Sequence, residues 1–173
     1  MCGFLTSIIY NDGSYPHFND STDGIAPNAK ELLEYAKRLN IKSNLIKLSE
    51  SGFRRINNEI FDLIIKAGNI GANYIPGHDS LNFVCKIHEI PFIVDTGIST
   101  YEKNEIRQLE RSTISHNTVT IANINSSEVW GGFRVGQRAK SIIESETHEC
   151  IKATQEGYLE KLNREIKLEK DIL

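Results

Sequence analysis

Beyond residue 44 the chain breaks into short apolar or alternating runs, at 45–48, 52–56, 60–65, 81–87, 92–94, 117–121 and 141–143, separated by Ser, Gly, Asn and Pro. Side chains alternate across a strand with period two, and turn residues between such runs mark where a sheet reverses. That punctuation predicts antiparallel strands. The segment 69–79, rich in Gly, Asn and Pro, reads as a loop. One stretch carries clear helical spacing. From Pro27, whose missing N–H suits a first turn, Leu32, Ala36 and Leu39 recur on one face, with Lys30, Glu31, Lys37 and Arg38 off it. A helix is expected over 27–39, ending near Asn40. Several strands with one clear helix favour a mainly β fold, an antiparallel β-sandwich, over an α/β fold.

At 173 residues the chain is long enough for one domain with its own core. With 39% hydrophobic and 25% charged residues the composition is that of an ordinary globular protein. A formal net charge of -3 leaves no electrostatic footprint for nucleic acid. Charges of both signs interleave through 103–111 and 161–170, a pattern of solvated faces. Cys2, Cys85 and Cys150 are odd in number and lack a paired short spacing, which argues against a disulfide framework and a zinc ribbon. Cys85 lies inside an apolar run, where a free cysteine behaves as a small buried hydrophobe. The apolar stretch at 1–10 has neither a basic leader nor a small-residue cleavage site and is too short to span a bilayer. Neither the Gly-rich dinucleotide fingerprint nor a P-loop is present in the sequence.

Four features able to carry chemistry lie near the ends of expected strands: Pro76-Gly77-His78-Asp79; Asp95 followed by Thr96-Gly97; Tyr101 with Arg107 and Arg111; and Ser115-His116-Asn117. Imidazole and carboxylate groups at successive strand ends can converge on a divalent metal, and zinc accepts such donors. By spacing alone the plainer reading is structural, with His78 capping a loop, Asp95 accepting N–H groups at a turn and His116 hydrogen-bonded in the core. Arg107 and Arg111 suit bidentate neutralisation of substrate carboxylates, and equally suit pairing with Glu102, Glu105 or Glu110. Tyr101 reads as an amphipathic residue at a sheet edge or as a hydrogen-bond donor behind the site. Trp130, beside Gly131-Gly132, reads as a packing residue or as a stacking surface for a sugar. His17, His88 and His148 have no sequence neighbours that point to chemistry and are expected on the surface or in strands.

The longer strings add to this. Ile93-Val-Asp-Thr-Gly-Ile-Ser-Thr-Tyr101 and Arg107-Gln-Leu-Glu-Arg-Ser-Thr-Ile-Ser-His-Asn-Thr-Val119 are followed by Ser127-Glu-Val-Trp-Gly-Gly-Phe-Arg134 and Gly136-Gln-Arg-Ala139. In order and gaps as well as residues, this series resembles the β-sandwich segment of heparinase II/III-like polysaccharide lyases. Upstream, Phe18-Asn-Asp-Ser and Gly24-Ile-Ala-Pro27 with the helix look like the last part of that family's α/α toroid. Downstream, Gln155-Glu-Gly-Tyr158 looks like its Asp/Glu-Gly-Tyr turn.

The resemblance implies residues 1–43 as the end of a toroid, with one helix and a linker, and 44–173 as a partial sandwich of the heparinase II/III C-terminal type, cut at both ends. It implies a fragment of a lyase that cleaves uronic-acid-containing polysaccharide by β-elimination, inactive alone because the toroid's catalytic residues are absent. The alternative is a non-catalytic carbohydrate-binding or interaction sandwich. By position, Asp95 and His116 match the family's metal-binding Asp and the His of its His-Asn-Thr motif, which implies one divalent metal, zinc. His78 matches one His of a Gly-His-x-His-x-Asp loop and is the catalytic candidate. Here Gly77-His78 is followed directly by Asp79, so that loop is short by one of its two His. Arg107 and Arg111 are the substrate-binding candidates. The implied partner is an acidic polysaccharide or oligosaccharide, with no nucleic acid or membrane partner, and a cut sandwich is expected to self-associate through exposed edges. Family members are commonly periplasmic or exported, although no signal peptide is read in this chain.

Overall fold

The computed structural model describes residues 2–48, 51–68 and 80–169. Two helices, α1 (Cys2–Ile8) and α2 (Ala29–Arg38), precede strands β1 (Phe53–Asn57), β2 (Phe61–Lys66), β3 (Asn82–Ile87) and β4 (Ile90–Ile93). A short helix α3 (Glu105–Glu110) and a 3₁₀ turn at Thr113–Ser115 follow, then β5 (Val129–Trp130), β6 (Arg134–Val135), β7 (Lys140–Glu146), β8 (Cys150–Glu156) and β9 (Leu162–Lys167). No helix among the described residues is long and apolar enough to cross a membrane.

Helix α2 forms where the apolar spacing placed it. The Asn28 side chain accepts the Glu31 N–H at 2.9 Å, satisfying a first-turn donor, so the helix starts at Ala29 rather than Pro27. At its far end Asn40 turns left-handed, with φ 57. Strands β1 to β4 pair antiparallel in chain order, β7 to β9 form a second antiparallel sheet, and β5 with β6 makes a two-stranded hairpin. The β3–β4 connection is a two-residue turn in which His88 and Glu89 both have positive φ, the hand that matches strand twist.

The two larger sheets pack face to face. Ile56, Phe61, Leu63, Ile65 and Cys85 from the first meet Ile151, Ala153, Ile166 and Leu168 from the second. On the other face of the first sheet, Ile64 and Val84 pack against Ile8, Tyr10 and Phe18 of the N-terminal region. Strand β2 is therefore covered on both sides, and Leu63, Ile64 and Ile65 are all 0% exposed. This explains why its sequence is a continuous apolar run rather than an alternating one. Burial, and next the Asp62 carboxylate, push the Cys85 thiol up to about 11, so it stays protonated inside the core.

Several expectations need correction. Segments 45–48 and 117–121 form no strand. Their backbone is anchored by side chains instead: Ser7 Oγ accepts the Ile46 N–H at 2.8 Å, and Asn82 Oδ1 accepts the Asn117 N–H at 3.0 Å. Ile121 makes only an isolated bridge to Ile124, around a left-handed Ala122-Asn123 turn. Two helices, not one, precede the sheets. The interleaved charges at 103–111 hide α3, whose Arg107 and the Arg111 that caps it are each 1% exposed. Those at 161–170 include β9, which is buried on one face only. The expected loop at 69–79 lies outside the described residues. Strand β4 is an edge strand and leaves Ile90 and Phe92 exposed.

The double cover of β2 makes a simple prediction. Ile64→Ala, on the face turned to the N-terminal region, should lower the unfolding free energy by about 2–5 kcal/mol, as for a core truncation. Denaturant titration checks this; a loss near zero would mean that the N-terminal layer does not cover the sheet in solution.

Candidate functional site

Strand β3 begins with Asn82, and β4 runs out into Asp95. The pairing of these strands brings the ends together, and Asn82 Nδ2 donates to Asp95 Oδ2 at 2.6 Å. The same oxygen accepts from His116 Nδ1 at 2.8 Å, while Asp95 Oδ1 accepts the Gly97 N–H at 2.9 Å. The Asp95 and His116 side chains are 0% and 2% exposed. A carboxylate that deep requires its oxygens to be hydrogen-bonded, and these three donors satisfy it. In the neutral imidazole a carboxylate acceptor puts the ring proton on Nδ1, which makes Nε2 the lone-pair nitrogen. Gly97 permits the turn: its φ is +63, and a Cβ there would lie 2.5 Å from the Ser21 carbonyl oxygen.

Neighbouring side chains fix the pair from outside. Asn117 Nδ2 donates to the Phe83 and Val94 carbonyls at 3.0 and 2.8 Å, bridging β3 to the end of β4. Arg164 of β9 donates through Nη1 to the Leu81 and Asn117 carbonyls at 2.6 and 2.8 Å, and lies 5.2 Å from the Phe83 ring centroid. Burial lowers its affinity for its proton below that of an ordinary guanidinium. Sequence reading missed the roles of Asn82 and Arg164, because each acts across sheet register rather than through a local motif.

The donor set suits zinc in kind, since imidazole and carboxylate converge. Among the described residues no group of three or more His, Cys, Asp or Glu is placed to hold a metal ion. His78, the other candidate on the short loop, lies outside the described residues together with Gly77 and Asp79.

Arg107 and Arg111 are turned inward. Arg107 donates from Nη1 and Nη2 to the two oxygens of Asp20 at 3.0 and 2.9 Å, and from Nε to the Gly132 carbonyl at 3.3 Å. Arg111 donates from Nη1 to the Gly131 and Trp130 carbonyls at 2.6 and 3.3 Å, and from Nη2 to the Arg134 carbonyl at 2.9 Å. Burial, and next the charge of Arg107, weaken the hold of Arg111 on its proton, while Asp20 strengthens it. The carboxylate that Arg107 meets is thus Asp20, far away in sequence, rather than Glu102 or Glu105. A substrate carboxylate would have to displace Asp20 from Arg107 and main-chain carbonyls from Arg111.

The family model for the heparinase II/III-like C-terminal region matches residues 40–171. The chain belongs to the heparinase II/III-like family. No curated protein and no solved structure matches it. The matched region of this heparinase II/III-like chain includes Asp95, His116, α3 and the β5–β6 hairpin.

One cavity lies beside Asp95, with a volume of about 200 Å³, and the N-terminal residues Tyr10, Tyr15, His17 and Asp23 line it together with Lys86. His17 Nε2 lies 3.1 Å from Asp23 Oδ1, a second imidazole–carboxylate pair, but here the Asp23 side chain is 82% exposed. Tyr15 Oη donates to the Thr22 carbonyl at 3.0 Å. Burial and the Asp23 charge raise the pKa of that hydroxyl, so Tyr15 is a neutral donor and not a tyrosinate base. Lys86 Nζ is held by Asp12 at 2.7 Å and Ser14 at 2.9 Å, above the Tyr10 ring at 4.1 Å. Sequence reading put His17 on the surface or in a strand, with no neighbour pointing to chemistry; its partner is six residues on, and the turn through 18–23 brings it round.

The two pairs predict contrasting losses. Asp20→Ala strands the Arg107 guanidinium in the interior and should cost about 3–5 kcal/mol. Asp23→Ala removes an exposed partner and should stay within about 0.5 kcal/mol. Chemical denaturation of both variants checks this; equal small losses would mean that Arg107 is solvated.

Proposed function

We propose that this chain is the sandwich-bearing part of a lyase that cleaves uronic-acid-containing polysaccharide by β-elimination, and that it does not turn over alone. The observation that carries this reading is the buried His116–Asp95 pair at the end of β4. Family membership supplies the class of chemistry.

Elimination next to a uronate makes three demands. The carboxylate must be neutralised so that the neighbouring carbanion costs less. A base must take the C5 proton, and an acid must protonate the leaving oxygen. An imidazole whose Nδ1 proton is held by a buried carboxylate carries its lone pair on Nε2, the atom that suits proton transfer. The first demand has no obvious donor among the buried cations nearby. Arg107 is matched by Asp20, Arg111 by the 130–134 main chain and Lys86 by Asp12 and Ser14. We therefore assign Arg107 and Arg111 to holding the scaffold. His78 keeps its place as the candidate base.

A divalent ion, zinc by donor type, would be held by Asp95 and His116 in place of the Nδ1 proton they now share, with His78 left as the candidate base. Bound there, it would supply a fixed crosslink between the end of β4 and the 113–117 segment.

Incubation with uronate polymers should give measurable binding but no ultraviolet absorbance from an unsaturated product. Metal analysis should return near-stoichiometric zinc that falls to background in Asp95→Ala and His116→Ala. Turnover abolished by His116→Ala would contradict the inactivity of the chain alone. Zinc unchanged in both variants would contradict the ligand assignment, and absence of any uronate binding would sink the substrate class.

A further inference from the structure

We propose that the β5–β6 hairpin presents an aromatic platform, built on the Tyr101–Phe133 ring pair, on which sugar rings of an acidic polysaccharide stack. The polymer class rests on the reading given under Proposed function; the platform uses different residues from the His116–Asp95 pair.

The first observation is how firmly this hairpin is held. Its strands are two residues each, and a hairpin that short is marginal by itself. Side chains from α3 and its cap pin it through its own carbonyls. Arg107 takes Gly132, Gln108 Nε2 donates to Gly131 at 2.7 Å, and Arg111 takes Trp130, Gly131 and Arg134. Arg111 thus gives both Nη atoms to the turn, and Arg107 joins the turn to Asp20.

The second observation is what the clamped hairpin and the segment before α3 display together. The Tyr101 and Phe133 rings stack with centroids 5.5 Å apart and planes 26° apart, yet they remain 52% and 44% exposed. Trp130, on the same hairpin, is 43% exposed. Rings of this size ordinarily bury most of their area. Exposed together on a rigid support, they resemble a binding face held in place before the ligand arrives.

The third observation is the charge around the rings. The Arg107 guanidinium lies 5.2 Å from the Tyr101 centroid and 5.7 Å from that of Phe133, so a cation sits beneath the pair. The aliphatic stem of Lys103 runs beside Gly132, and Arg134 is exposed at the hairpin's return strand. The same segments also expose Glu102, Glu105 and Glu128, so Lys103 and Arg134 act as individual partners rather than as a basic patch. A sugar ring has an apolar C–H face for an aromatic surface, and a uronate adds a carboxylate for the flanking ammonium and guanidinium groups. Ring faces and cations together select an acidic sugar over an apolar peptide.

Calorimetric titration of the chain with defined oligouronates, and with uncharged oligosaccharides of equal length, tests the platform. Tyr101→Ala and Phe133→Ala should each weaken oligouronate binding at least about tenfold, and Phe133→Tyr, which keeps the ring, should restore it. Near-ultraviolet circular dichroism of each variant serves as the folding control. In the unaltered chain, emission from Trp130, its single tryptophan, should shift on titration. Oligouronate binding unchanged in both alanine variants would overturn the platform and leave the lyase reading intact. Binding of the uncharged sugar alone would overturn both the uronate reading and the platform's stated ligand.

Discussion

A carboxylate whose side chain is wholly out of water governs the geometry of this chain. Asp95 is tolerable there only because Asn82, His116 and the Gly97 N–H all donate to it. Those donors come from the start of β3, the segment after the 3₁₀ turn and the turn beyond β4. Satisfying one charge thus ties the 113–117 segment, which the β ladder does not reach, to the paired ends of β3 and β4. The same bonds orient the imidazole. Structure and candidate chemistry have one origin.

Inward-turned cations extend the same logic. Arg107, Arg111 and Arg164 each donate to main-chain carbonyls, those of the short β5–β6 hairpin and of positions 81 and 117. A guanidinium offers five donors in a rigid fork, so one side chain can satisfy several carbonyls at once. Irregular loops at strand ends leave such carbonyls to be satisfied, and functional groups tend to sit on those loops. Here the loops are held by charge, while the two sheets are held by Leu63, Ile65, Ile151 and their neighbours.

Much of the fold was legible because local chemistry dictated it. The short apolar or alternating runs yielded β1 to β4 and β7, the helical spacing after Pro27 yielded α2, and Cys85 in its apolar run marked the core. Where tertiary contacts overrode local pattern, the sequence misled. The charged string at 103–111 looks solvated, yet Arg107 and Arg111 face inward because Asp20 and the hairpin carbonyls await them. Strand β9 carries a polar face that masks its single buried side, and β8 buries polar Thr154 and Gln155 beside Ala153. At the site, Asp95 and His116 were visible as motif residues, but their direct bond was not. Asn82 and Arg164 reach them only through strand pairing and sheet packing, which no short string encodes.

The direct bond between His116 and Asp95 is the claim on which the rest turns, and nitrogen-detected NMR of the histidine rings in the metal-free chain addresses it. The account predicts a slowly exchanging, low-field proton on His116 Nδ1 that is lost when Asp95 is replaced by Ala. A ring protonated on Nε2 alone, exchanging freely and indifferent to that substitution, would contradict it.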